Sequence, residues 1–117
     1  MYTSGVSTDI YARLAAATGF NWDDGNAPKV RARHEVEPGE CEQAFFAHPL
    51  LVVADPAHSL VEQRWRALGQ TLAGRQIYVV FTLRGALIRV IGARDLNRKE
   101  RRLYEQAQAS PETDSRL

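Results

Sequence analysis

Cysteine is all but missing from this chain. Cys41 is the only one, which excludes an internal disulfide framework and a multi-cysteine zinc site. Long apolar runs are missing too, with none approaching the ~18 residues a membrane-crossing helix requires. Met1 to Phe20 lacks a charged segment followed by an apolar one, so no signal peptide is expected. A reducing cytoplasm is the expected compartment, and no membrane partner is expected. Lysine is scarce, since thirteen of the fifteen basic residues are arginine. Acidic residues disappear altogether between Gln63 and Arg94, a stretch that holds six arginines.

What is present fits one globular domain: 117 residues, 44% hydrophobic and 25% charged. The net charge of +1 conceals an uneven distribution. Residues 1–62 carry four basic and nine acidic side chains, and residues 63–117 carry eleven basic and five acidic. The planar arginine fork makes two-pronged contacts with phosphate that a lysine point charge does not. A basic half of this kind suits a polyanion, RNA or DNA, unless it is simply a solvated charged face.

The patterning is helical first and alternating afterwards. Ser7 to Thr18 is expected as a short helix, capped at Thr8, with Ile10 and Leu14 spaced i,i+4 and Gly19 just past its end. Phe20-Asn21-Trp22 alternates as a short strand would, and Asp23 to Asn26 is a turn. A second helix is expected over Ala27–His34, with Pro28 tolerated in its first turn. A third runs from Pro38, after a Glu37 cap, to Ala47, with Cys41, Ala44, Phe45 and His48 as its buried stripe. After Pro49 strands are expected at 50–54, 62–70, 76–83 and 87–93, with tight connections at Gly74 and Gly85. Asn97 caps a last helix through Gln108, with Leu103, Tyr104 and Ala107 as its core stripe. This order predicts an α+β domain: an antiparallel meander, helices on one face, and arginines on the open one.

Several motifs in this order point to one family. They are Phe20-x-Trp22-Asp23, His34-x-Val36, Ala44-x-Phe46-x-x-Pro49, and Glu62-x-Arg64 with Gly69 and Gly74-Arg75. Val79-Val80-Phe81-Thr82-x-Arg84-Gly85 follows, then Ile88-Arg89-x-Ile91-x-Ala93-Arg94 and Arg98-x-Glu100-x-x-x-Tyr104. Together, from Phe20 to Glu105, they resemble the BrnT toxins of type II toxin–antitoxin systems. The resemblance implies a RelE-like fold, RNA cleavage without cofactor or metal, and growth inhibition. It also implies a tight complex with a BrnA-like antitoxin, operator DNA being reached only through that partner. On this view residues 1–19 are a helical extension, 20–109 the toxin domain and 110–117 a frayed tail. One departure stands out. The family usually carries lysine at Asn26 and often asparagine at Val30, so a catalytically weak or inactive interaction module is the alternative. A nucleic-acid-binding domain without catalysis is a third reading, but no recognition-helix motif supports it.

RNA cleavage needs a base for the 2′-hydroxyl, donors for the crowded phosphorane and an acid for the leaving oxygen. Arg64, Arg89 and Arg94 are the candidate donors, and His34 is the candidate acid–base group unless it only caps its helix. Glu62 is a further catalytic candidate: by parity it shares a strand face with Arg64, so the two could form an ion-paired, pre-oriented unit, unless they make only a cross-sheet salt bridge. Arg89 and Arg94 fall on opposite faces by parity, so only a bulge or bend would bring them to one cleft. Arg66, Arg75 and Arg84 are candidate RNA contacts, as is Trp22, which either stacks on a base or packs in the core. His48 and His58 lie beside turns and are expected to be structural. Glu100 and Tyr104 are expected to anchor the last helix.

Overall fold

The computed structural model describes residues 5–110. In chain order the elements are α1 (Gly5–Ala15), β1 (Gly19–Phe20), α2 (Ala27–His34), α3 (Pro38–Phe45) and β2 (Leu51–Ala54). A 3-10 turn at Pro56–His58 leads to β3 (Trp65–Gln70), β4 (Gln76–Arg84), β5 (Leu87–Asp95) and α4 (Arg98–Gln108). The fold is α+β, but the sheet is mixed rather than purely antiparallel. Its five strands lie in the order β1-β5-β4-β3-β2, and β1 runs parallel to β5, with Gly19 opposite Leu87 and Phe20 opposite Ile88. The expected alternation at residues 20–22 thus yields only a short parallel edge. Gly19 opens that strand instead of ending α1, which itself starts at Gly5, before the expected cap. The tail expected to fray, apart from Ser110, lies outside the described residues.

Alternation along the strands sorts side chains onto two faces. Trp65 and Ala67 of β3, Ile77, Val79 and Phe81 of β4, and Ile88, Val90 and Ala93 of β5 form the main core with α1, α2 and α3. Phe81 is its centre, edge-on to Phe45 at 5.0 Å and stacked with Trp65 at 5.7 Å. α1 joins this core through Ile10 and Leu14, while Arg13 lies over the Trp65 ring at 5.4 Å. The Tyr11 hydroxyl accepts the outward N–H of Val52 at 2.8 Å, occupying a group that edge strand β2 would otherwise leave unpaired. Cys41 is fully buried, and burial pushes its thiol up to about 12, which keeps it a small hydrophobe.

The second face was expected to be open, but α4 covers part of it. Tyr104 is buried against Leu68 and Leu96, beside Leu51 and Tyr78, and its hydroxyl donates to the Pro49 carbonyl at 2.6 Å. Leu103, expected in the same stripe, is 55% exposed, and Tyr104 is the residue that α4 buries. The helix starts at a full capping box. Asn97 accepts from the Glu100 N–H at 2.8 Å and Glu100 accepts from the Asn97 N–H at 2.9 Å. α3 carries the same device in Glu37 and Glu40, and ends at Phe45, short of the expected Ala47. His48, placed by periodicity in the α3 stripe, is exposed. No helix among the described residues is long and apolar enough to cross a membrane.

Candidate active site

The part of the second face that α4 leaves uncovered is a cleft of about 390 Å³. Its floor is Tyr78 and Val80 of β4 with Gly92 of β5. One wall is Asp55, His58 and Arg64, from the connection between β2 and β3. The other is Lys29, Arg33 and His34 of α2, with Arg94 of β5 at its foot. α2 reaches this position because β1 stops at Phe20 and leaves the rest of the β5 edge unpaired. Asn26 fills the gap. Its side-chain amide donates to the Val90 carbonyl at 2.9 Å and to the Asn21 carbonyl at 3.0 Å, and its oxygen accepts from the Asp23 N–H at 2.8 Å. Asn26 is 3% exposed and does not line the cleft. Val30 is likewise a core residue.

A β-bulge restores the parity that the sequence denied. Between Val80 and Phe81 the register slips by one, leaving Ile91 unopposed, so Arg89 faces Thr82 and Arg94 faces Tyr78 on the same side of the sheet. Only Arg94 lines the cleft. Its guanidinium lies 3.9 Å from the centre of the Tyr78 ring and makes a two-pronged contact with Glu100, at 2.7 and 2.9 Å. That contact raises Arg94 and holds the Glu100 carboxyl well below the usual range. Arg89 instead clamps the turn after β1, bonding Asn21 at 2.6 Å and Asp23 twice at 3.1 Å.

Arg64, Arg94 and His34 are thus brought together, and the other sequence candidates are not. Glu62 pairs with Arg84 at 3.1 Å rather than with Arg64. β3 begins only at Trp65, so strand parity does not govern residue 62. The Arg84 guanidinium holds the Glu62 carboxyl below its usual range. Arg75 is a staple: it bonds Asp95, Glu40 and the carbonyls of His34 and Glu35, and supports Glu35 in a left-handed conformation at φ 55°. Trp22 packs against the main core and donates its indole N–H to Glu42 at 2.8 Å. Arg66 lies partly buried on the second face, with its Nε lacking a hydrogen-bond partner.

The cleft also holds groups that sequence reasoning passed over. Lys29 and Arg33 were visible as an i,i+4 pair on α2, but only its packing along the β5 edge gives them a cleft to face. Asp55 and His58 were read as turn residues, yet the carboxylate and the imidazole meet at 3.1 Å. Arg64, Lys29 and Arg33 form no ion pair with a described residue. Unpaired cations around an aromatic floor suit a phosphodiester with a base beside it. Among the described residues no group of three or more His, Cys, Asp or Glu is placed to hold a metal ion. Compared with known families, the chain matches the ribonuclease toxin BrnT of type II toxin–antitoxin systems over residues 22–100. Among curated proteins no match was found.

Proposed function

The chain belongs to the BrnT family of ribonuclease toxins of type II toxin–antitoxin systems, and on that premise we propose that it cuts RNA in the cleft between α2 and the β2–β3 connection. The observation that carries this reading is the convergence of unpaired Arg64, Lys29 and Arg33 with Arg94 and His34 on one concave site. Arg64 donates to the non-bridging phosphate oxygens as negative charge builds on the phosphorane. Arg94, already held over the Tyr78 ring, supplies the opposite edge of the phosphate cradle. His34 supplies a proton to the leaving oxygen. The chain's own side chains carry these roles without a metal or cofactor. The fold is RelE-like in this reading, and the cytoplasm, where RNA and reductant are found, is the working compartment. A DNA-binding antitoxin of the BrnA type lays an acidic segment over the cleft, and operator DNA is reached only through it.

One observation favours a weaker enzyme. Three of the second-face arginines are already spoken for: Arg84 by Glu62, Arg89 by Asp23 and Arg94 by Glu100. In the catalytically weak alternative the same surface is an interaction module. Induced expression separates the two, since a ribonuclease arrests growth and a scaffold does not. On the purified chain, Arg64→Ala is expected to lower RNA cleavage by about 10²–10³-fold with the melting temperature unchanged. Arg64→Lys is expected not to restore it fully, because one ammonium cannot reproduce a two-pronged contact. A stably folded Arg64→Ala protein with full activity overturns this assignment.

A further inference from the structure

The connection between β2 and β3 is built around a carboxylate that does nothing for its own backbone. Asp55 opens the 3-10 turn, yet its side chain makes no capping hydrogen bond. It is only 10% exposed, and its two oxygens lie 3.2 and 3.1 Å from Nδ1 of His58. Burying a carboxylate carries a desolvation cost, and asparagine or serine would close a turn without it. The turn is fixed from all sides. Ser59 Oγ donates to the Asp55 carbonyl at 2.6 Å and accepts from the Arg64 N–H at 2.9 Å. The Asp55 N–H donates to the Arg64 carbonyl at 2.9 Å, and the His58 N–H to the Asp55 carbonyl at 3.2 Å. One hydrogen-bonded frame therefore carries Asp55, His58 and Arg64 together on the cleft wall.

An ionised carboxylate only accepts hydrogen bonds, so a neutral His58 ring beside it carries its proton on Nδ1 and keeps a lone pair on Nε2. No described residue is bonded to Nε2, and the side chain is 67% exposed on the cleft wall. We propose that His58 is the general base of RNA cleavage and that Asp55 is its positioning residue, a role that rests on the ribonuclease reading. Nε2 takes the proton of the ribose 2′-hydroxyl as the 2′-oxygen bonds to the adjacent phosphorus. The bond from phosphorus to the 5′-oxygen breaks, and that oxygen takes a proton from protonated His34 across the cleft. The products are a 2′,3′-cyclic phosphate and a free 5′-hydroxyl, and both histidines return to their starting states through water. The groups facing His58 are Asp55 and Arg64 on its own wall, Lys29, Arg33 and His34 from α2, Tyr78 from β4 and Arg94 from β5.

The test is cleavage of a short RNA by the purified full chain across a pH series, for wild type, His58→Ala and Asp55→Asn, with melting temperatures on each. His58→Ala is expected to lower the rate by about 10²–10⁴-fold, to keep the wild-type melting temperature and to regain activity with added imidazole. The fall in wild-type rate towards acid pH is expected to be absent from its residual activity. Asp55→Asn is expected to lower kcat more than it raises KM and to move that acid limb. If Asp55→Asn does not fold, His58→Ala and its imidazole rescue decide the matter alone. Wild-type rates in folded His58→Ala, or a loss without rescue and with the acid limb retained, overturn the proposal while leaving the ribonuclease reading intact. A wild-type chain that leaves the RNA whole overturns both.

Discussion

Gly69 marks a close approach of α3 to the sheet. A β-carbon built there would stand 2.5 Å from the Ala44 carbonyl oxygen, a backbone atom that cannot swing away. Gly69→Ala is therefore expected to push α3 off β3 and lower stability by about 1–3 kcal/mol, the range for overpacking, as read from chemical denaturation. Glu100 carries a different kind of load, because its carboxylate closes the α4 cap and holds Arg94. Its carboxyl is held below the ordinary value by Arg94. The stability it contributes is complete above the unfolded value, about 4.3, and is lost as pH falls through the lower folded one. Glu100→Gln is expected to be less stable at pH 7 and to lose less on acidification than wild type, as followed by thermal melts from pH 7 to pH 3. Part of the acid loss survives in the variant, since Asp23, Glu62 and Asp95 are lowered too by Arg89, Arg84 and Arg75. None of these pairings was legible in the sequence. Arg75 and Asp95 stand 20 positions apart, and only the β4–β5 hairpin register brings them to 2.7 Å.

Among the elements, α1 was expected as an extension, yet it contributes buried Ile10 to the main core and the hydroxyl that covers the β2 edge. Ile10→Ala is expected to cost about 2–4 kcal/mol, measured by denaturation. A change near zero would mean that α1 docks without supporting the fold. The bulge in β5 is the element that assembles the cleft, since it turns Arg94 to the side where Tyr78 lies. Its position left no mark in the sequence that strict alternation could register. The spans of α2, the start of α3 and the cap of α4 were readable because proline, glutamate and asparagine at helix starts act locally. The limits of β3 were not, because the connection before it is organised by Ser59 and Asp55 rather than by alternation.

For the whole molecule, the acid-free stretch from Gln63 to Arg94 maps largely to one side of the sheet, where much of its charge is then matched by Glu62, Asp23 and Glu100. Of its two arginines without an ion pair among the described residues, Arg64 lines the cleft, where Lys29 and Arg33 join it, and Arg66 lies outside it. An acidic antitoxin segment is expected to bind at the cleft, so co-expression with the antitoxin should give a complex that survives purification at physiological salt and abolishes growth arrest. Substituting Lys29 and Arg33 together by Gln is expected to weaken that complex and to reduce its dependence on salt, measured as Kd against ionic strength. Two folded chains that do not co-purify would count against an electrostatic interface.

The sequence by itself determined the class of fold, the order of helices and strands, the family and the abundance of arginine. These follow from local propensity, period and composition, which need no knowledge of what lies across the chain. Only the tertiary structure decided which arginines are free, that Asn26 is a buried brace, that Glu62 belongs to Arg84, and that Asp55 and His58 stand with Arg64 on one wall. Those outcomes depend on a bulge, a short parallel edge and an irregular connection. Each is a departure from regular alternation, and a side chain's direction after such a departure is set by the partners it meets in space.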